Sequence, residues 1–240
     1  MVGPTNVLWY SSVAVQFLFC AHLLWTRLAK QHPIFTLYLG CAVLRSLGAV
    51  HYTIDSDGAL PISYTYFWLW TEPILLLLQI GVALEVHAGL WREYGSMVRS
   101  ARPLLVFSLL TALLFAALPV RAELSRFSAM RLQAVVQFEF LAKRYISSVL
   151  ALFLVLSALL FLFVVRDSLK TSLFRHESML AAYFAIYATA YFVMNMGWTK
   201  KTQVNNYMLS ALTLCLVIWL SIFRPTADVQ DGRFRQQQGI

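Results

Sequence analysis

Seven apolar runs, each near the length of a bilayer crossing, follow one another along the chain at roughly 5–26, 34–52, 63–90, 103–119, 136–165, 178–198 and 205–223. About 20 apolar residues in α-helix span the hydrocarbon of a membrane. The runs are long and do not alternate, so helices are expected, not barrel strands. Between them stand turn and charge signals: "KQHP", "DSDGALP", "SARP", "ALPVRAE" and "WTKKTQVNN". The third and fifth runs exceed one crossing, which predicts tilt or emergence into a loop. Only 12% of the 240 residues are charged, against 60% hydrophobic. That excludes an ordinary water-soluble domain. The expected fold is all-α: a seven-transmembrane-helix bundle over 1–223, followed by a short flexible tail over 224–240. No basic segment precedes the first run, so it is expected to stay in the mature protein.

Orientation is read from the loops. Lys and Arg accumulate on the cytoplasmic side of membrane proteins. One set of alternate loops, with the tail, carries Arg27, Lys30, Arg92, Arg99, Arg102, Arg166, Lys170, Arg175, Arg224, Arg233 and Arg235. The opposite set carries Arg121, Arg126, Arg131, Lys200 and Lys201. This asymmetry predicts the N-terminus outside and the C-terminus inside, in a cell (inner) membrane. The net charge of +8 is then a topology signal. The lipid bilayer is the expected partner, and the basic cytoplasmic face offers a surface for a protein partner. No basic soluble face exists for nucleic acid. Trp9, Trp25, Trp68, Trp70, Trp91 and Trp198 fall near expected interfaces, where amphipathic rings are favoured. Cys20, Cys41 and Cys215 lie inside apolar runs and read as packing residues.

Charges inside the runs carry the functional question. Arg45 lies about 16 Å above the start of the second run, at 1.5 Å per residue. Glu72 lies about 14 Å below the start of the third. In a core about 30 Å thick these depths coincide, and a lone charge at midplane costs several kcal/mol. Arg45 and Glu72 are therefore expected to pair. The pair is either a structural staple or the centre of a ligand site. Pro73 removes a backbone donor beside it. Gln79, seven residues on from Glu72, falls on nearly the same face. Tyr187 and Tyr191 belong to a stripe with Tyr183 that would wall a pocket or simply fill core. In the site reading the cavity opens outward, with Gln79 as its floor and Trp68 or Trp70 at its rim.

Secondary polar centres are expected in two places. Glu85, His87 and His22 fall near the inner end, as interfacial histidines held by a carboxylate. Their spacing lacks a metal or haem pattern, so no metal site and no cofactor is expected. Glu139 and Lys143 are spaced i,i+4, an ion pair in the favourable orientation, while Arg144 points elsewhere. These three are either interfacial or, if the helix is buried from Glu139 onward, a second polar centre.

Two motifs occur together: "HPIFTLYLGCAVLRS", with Pro33, Phe35, Tyr38, Leu39 and Arg45-Ser46, and Tyr64-x-Tyr66 followed by Glu72 and Glu85. On these the chain resembles a family of small bacterial polytopic membrane proteins, uncharacterised in activity. The resemblance implies a multi-pass membrane fold and supplies no reaction. Retinal proteins are excluded because the last run has no lysine for a Schiff base. No HExxH, GxSxG or in-register Ser/His/Asp set marks an enzyme. Three functions remain: a sensor of a small molecule or of membrane state, a transporter or channel for a small polar or anionic solute, and a non-enzymatic membrane assembly protein.

Overall fold

A computed structural model describes residues 4–54, 62–91, 95–124, 130–164, 172–196 and 201–222. These form seven helices: α1 (Pro4–Trp25), α2 (Pro33–Ile54), α3 (Ile62–Leu90), α4 (Gly95–Leu124), α5 (Met130–Val164), α6 (Ser172–Met196) and α7 (Lys201–Ile222). Six are long and apolar enough to cross a membrane, and α2 carries a shorter apolar stretch, Pro33–Ala49. Large apolar side chains cover the outer surface, among them Leu44, Leu77, Phe107, Leu114 and Leu214. Water does not tolerate so continuous an apolar coat, whereas lipid does. The chain is a multi-pass, all-α membrane protein. The tail at 224–240, the "DSDG" acids, Trp198 and half of the basic loop residues lie outside the described residues.

The helices outrun the apolar windows, since backbone pairing continues after side chains turn polar. α4 differs most. It begins at Gly95 and runs through both Pro103 and Pro119 to Leu124, so "SARP" and all of "ALPVRAE" are helix, not the turns their prolines suggest. Helix-breaking residues are tolerated in membrane helices when the freed backbone groups find other partners. Between α1 and α2 the chain reverses through Arg27, at φ 60°, and a single 3-10 turn over Leu28–Lys30.

α1, α2, α3, α6 and α7 form a closed ring of neighbours. α5 packs against both α3 and α6, while α4 rests almost entirely on α5. Glycine sets the closest approach between α2 and α3. A Cβ on Gly48 would stand 2.8 Å from the Phe67 ring, and one on Gly81 would stand 2.9 Å from Ile34 Cγ2. Small residues at helix contacts permit this in membranes.

An aromatic plug fills the half of the ring where α2 and α6 begin. Trp219 stacks on Phe35 at 4.7 Å and meets Phe19 edge-on at 5.6 Å. Its indole Nε1 donates to His176 Nδ1 at 2.8 Å.

Candidate functional site

Glu72 is answered twice. One carboxylate oxygen takes the guanidinium of Arg45, and the other takes the ammonium of Lys143. The first contact follows from equal depth on two adjacent helices. The second corrects the expected Glu139–Lys143 pair: Lys143 leaves its own helix neighbour and reaches across to α3. Glu139, 6% exposed, accepts no hydrogen bond from any described residue. A local i,i+4 pair contributes only a few tenths of a kcal/mol. A buried carboxylate shared by two cations gains more, because little water screens it. α5 is thus buried from Glu139 onward, and the two expected polar centres merge into one.

Aromatic faces complete the surroundings. Lys143 Nζ lies 5.2 Å from both the Tyr187 and the Tyr191 ring centroids, and Arg45 lies 5.8 Å from that of Trp68. Such contacts stabilise desolvated cations. Arg144 does point elsewhere, over the ring of Phe192 at 4.7 Å.

A cavity of about 280 Å³ borders this cluster. Its α3 wall is Tyr64, Trp68, Glu72, Leu75 and Gln79, one stripe about 22 Å long at 1.5 Å per residue. Arg45 and Ser46 of α2, Gln16 of α1, Lys143 of α5 and Asn205 of α7 contribute polar walls. Trp9, Tyr64 and Asn205 are half-buried, while Tyr38, Glu72 and Gln79 are buried. The cavity therefore opens at the end where α1 and α3 begin. Trp68 and Tyr187 line it and Tyr191 does not. Pro73 and Trp70 face outward, with Trp70 77% exposed.

The floor is a hydrogen-bonded chain. Gln79 Nε2 donates to Tyr38 Oη at 3.2 Å, Tyr38 and Tyr183 share a bond at 2.8 Å, and Tyr183 donates to Tyr187 at 3.4 Å. A phenol has one proton. Since Tyr183 spends its proton on Tyr187, Tyr38 donates to Tyr183, and every link in the chain has a donor. Tyr38 is not among the expected site residues, because a tyrosine in an apolar run also suits a membrane interface.

The expected inner centre divides. Glu85 does not hold histidines: it accepts from the backbone N–H groups of Ile34 and Phe35, both at 3.0 Å. Those are orphan donors at the start of α2, where an anion is favoured. Replacing Glu85 with alanine is expected to lower stability by about 1–2 kcal/mol. Glutamine, which keeps an acceptor, should recover part of it. Thermal unfolding in detergent measures both. His22 sits on α1, which packs against α2 and α7, whereas His87 sits on α3. His87 Nδ1 instead bonds Ser157 Oγ at 2.8 Å, and Ser157 also accepts from Trp91 Nε1 at 2.9 Å. Trp91, expected at an interface, is 1% exposed.

Two further buried groups stand outside the expected site residues. His176 and Glu177 lie just before the apolar window 178–198, so hydropathy gives no sign of them. α6 begins earlier, at Ser172, and buries both. The His176 ring meets that of His32 at 4.7 Å. His32, in the connection before α2, is pushed down to about 4 by burial. Its unfolded value is near 6.5. The unfolded chain then binds the proton first, so the contribution of His32 to stability should be constant above about pH 6.5 and should fall as pH drops toward 4. Replacing His32 with glutamine should flatten that slope in a pH series of unfolding curves.

Among the described residues no group of three or more His, Cys, Asp or Glu side chains is placed to hold a metal ion. No protein-family model, curated protein or solved structure matches the chain.

Proposed function

We propose that this chain is a membrane-embedded sensor, which takes a small polar solute from one side into the cavity beside Arg45, Glu72 and Lys143. One observation carries the reading: the cavity that contains the ion cluster ends on a closed floor. Tyr38, Tyr183 and Gln79 seal it, and the Phe19–Phe35–Trp219 plug lies in the other half of the ring. A site that fills from one side and stops suits binding and signalling. The bulky floor and the α2–α3–α6 contacts it bridges provide a route by which occupancy would bias helix packing. On the loop asymmetry, the open end faces outward in a bacterial inner membrane, and the basic face would meet a protein partner within. Reporter fusions at Gly95 and at the C-terminus should both report cytoplasm, and a periplasmic signal at either overturns that orientation.

A transporter is the second reading. It is supported by the buried acid and imidazole groups beyond the floor, Glu177 and His87 around Ser157. Intramembrane ionisable groups often mark solute or proton paths. The assembly reading leaves the cavity without a use. The test replaces the cluster with apolar residues, Arg45→Met, Glu72→Leu and Lys143→Met together. That variant should reach the membrane folded and fail to complement a deletion strain. Full complementation would make the cluster a structural staple. Solute uptake into proteoliposomes by the wild type would favour transport over sensing.

A further inference from the structure

We infer that the cavity is an anion site, built for a small carboxylate that carries a hydroxyl or other donor group at its far end. This rests on the binding reading above and names the ligand chemistry of that same cavity. The lining holds two cations, Arg45 and Lys143, against one carboxylate, Glu72. Both Glu72 oxygens are already engaged, one by each cation. A guanidinium has five N–H donors and an ammonium three, so most of the donors remain after Glu72 is served. Their neighbours also include the rings of Trp68, Tyr187 and Tyr191, which stabilise the charge, and the buried Glu139, which lies near both cations but does not line the cavity. An entering carboxylate would meet two cations to one anion among the lining side chains, with spare donors, in a site walled off from most water. A cation or the ammonium of a zwitterion would have to displace Arg45 or Lys143 from Glu72.

The far end of the ligand is read from Gln79. Its amide nitrogen is bound to Tyr38, while its buried carbonyl oxygen has no hydrogen-bond partner in the described structure, and the residue lines the cavity at 3% exposure. Leaving such an acceptor unmet is costly, and a ligand hydroxyl would satisfy it. The cavity volume, about 280 Å³, lies at the low end for ligand pockets and limits the ligand to a small one.

The test uses Ser46→Cys, in the cavity wall, with Cys20, Cys41 and Cys215 replaced by alanine. Its reaction with a sulfonate-bearing methanethiosulfonate and with the trimethylammonium analogue is followed in the full chain, each rate divided by that with free cysteine. The anionic reagent should be favoured by about tenfold or more, as a charged cleft concentrates counter-ions. Arg45→Gln, which keeps the Glu72–Lys143 contact, should reduce the preference. 4-Hydroxybutyrate exchanged for chloride at constant ionic strength should slow labelling, whereas 4-hydroxybutyramide, its neutral analogue, should not. Equal normalised rates for the two reagents, or protection by 4-hydroxybutyramide as good as by 4-hydroxybutyrate, overturn the anion assignment while leaving a water-filled binding cavity. Absence of protection by 4-hydroxybutyrate overturns the carboxylate assignment. If the thiol introduced by Ser46→Cys reacts with neither reagent while that of Gln31→Cys, exposed in the connection before α2, reacts with both in the purified protein, the cavity is closed to water. The binding reading then falls with the anion site.

Discussion

Replacing Glu72 alone with leucine should destabilise the bundle by about 3–5 kcal/mol, because it strands two cations in the interior. The carboxylate is 1% exposed and serves Arg45 and Lys143 at once. Replacing Arg45 alone with methionine should cost less, since Glu72 keeps Lys143 and the Arg45 side chain is already 18% exposed. Replacing all three together should recover much of the loss, since none of the three charges is then left without its partner. Unfolding of the purified protein in detergent, by heat or by denaturing surfactant, measures the series. A single Glu72→Leu variant as stable as the wild type would mean that water reaches the cluster freely.

The second large effect is expected at Trp219. It is 1% exposed, contacts Phe19 and Phe35, and donates its indole proton to His176. Alanine at this position should cost about 3–5 kcal/mol, since lipid cannot enter to fill the void. Phenylalanine would keep much of the packing and remove the donor that the buried imidazole nitrogen now uses, at about 1–3 kcal/mol. Trp219→Phe should therefore fall between wild type and Trp219→Ala in the same unfolding assay. Equal losses in the two variants would assign the whole effect to the hydrogen bond.

Much of the fold was legible because a bilayer imposes one length on every crossing. All seven runs became helices, and the depth count brought Arg45 to Glu72 because consecutive helices are antiparallel neighbours with a fixed rise. Gln79 followed from the same helical geometry. What stayed hidden needed contacts between helices distant in sequence. Nothing local tells Lys143 to prefer Glu72 on α3 over Glu139 one turn away. Glu177 escaped notice because hydropathy reports where apolar residues stop, whereas burial at a helix end depends on its neighbours. Glu85 was visible as an anomaly, but its use at the start of α2 required knowing that α3 ends beside it.

The isolation of α4 sets an order of construction. Membrane helices enter the bilayer one by one and associate afterwards. α3 precedes α4 but offers it little contact, and nearly all its packing surface belongs to α5. During synthesis α4 must wait in lipid, undocked, until the next helix arrives. Because it contributes no wall to the cavity, the chamber between α1, α2, α3, α5, α6 and α7 would close without it. α4 thus braces the outer flank of α5, the helix that supplies Lys143 to the cluster.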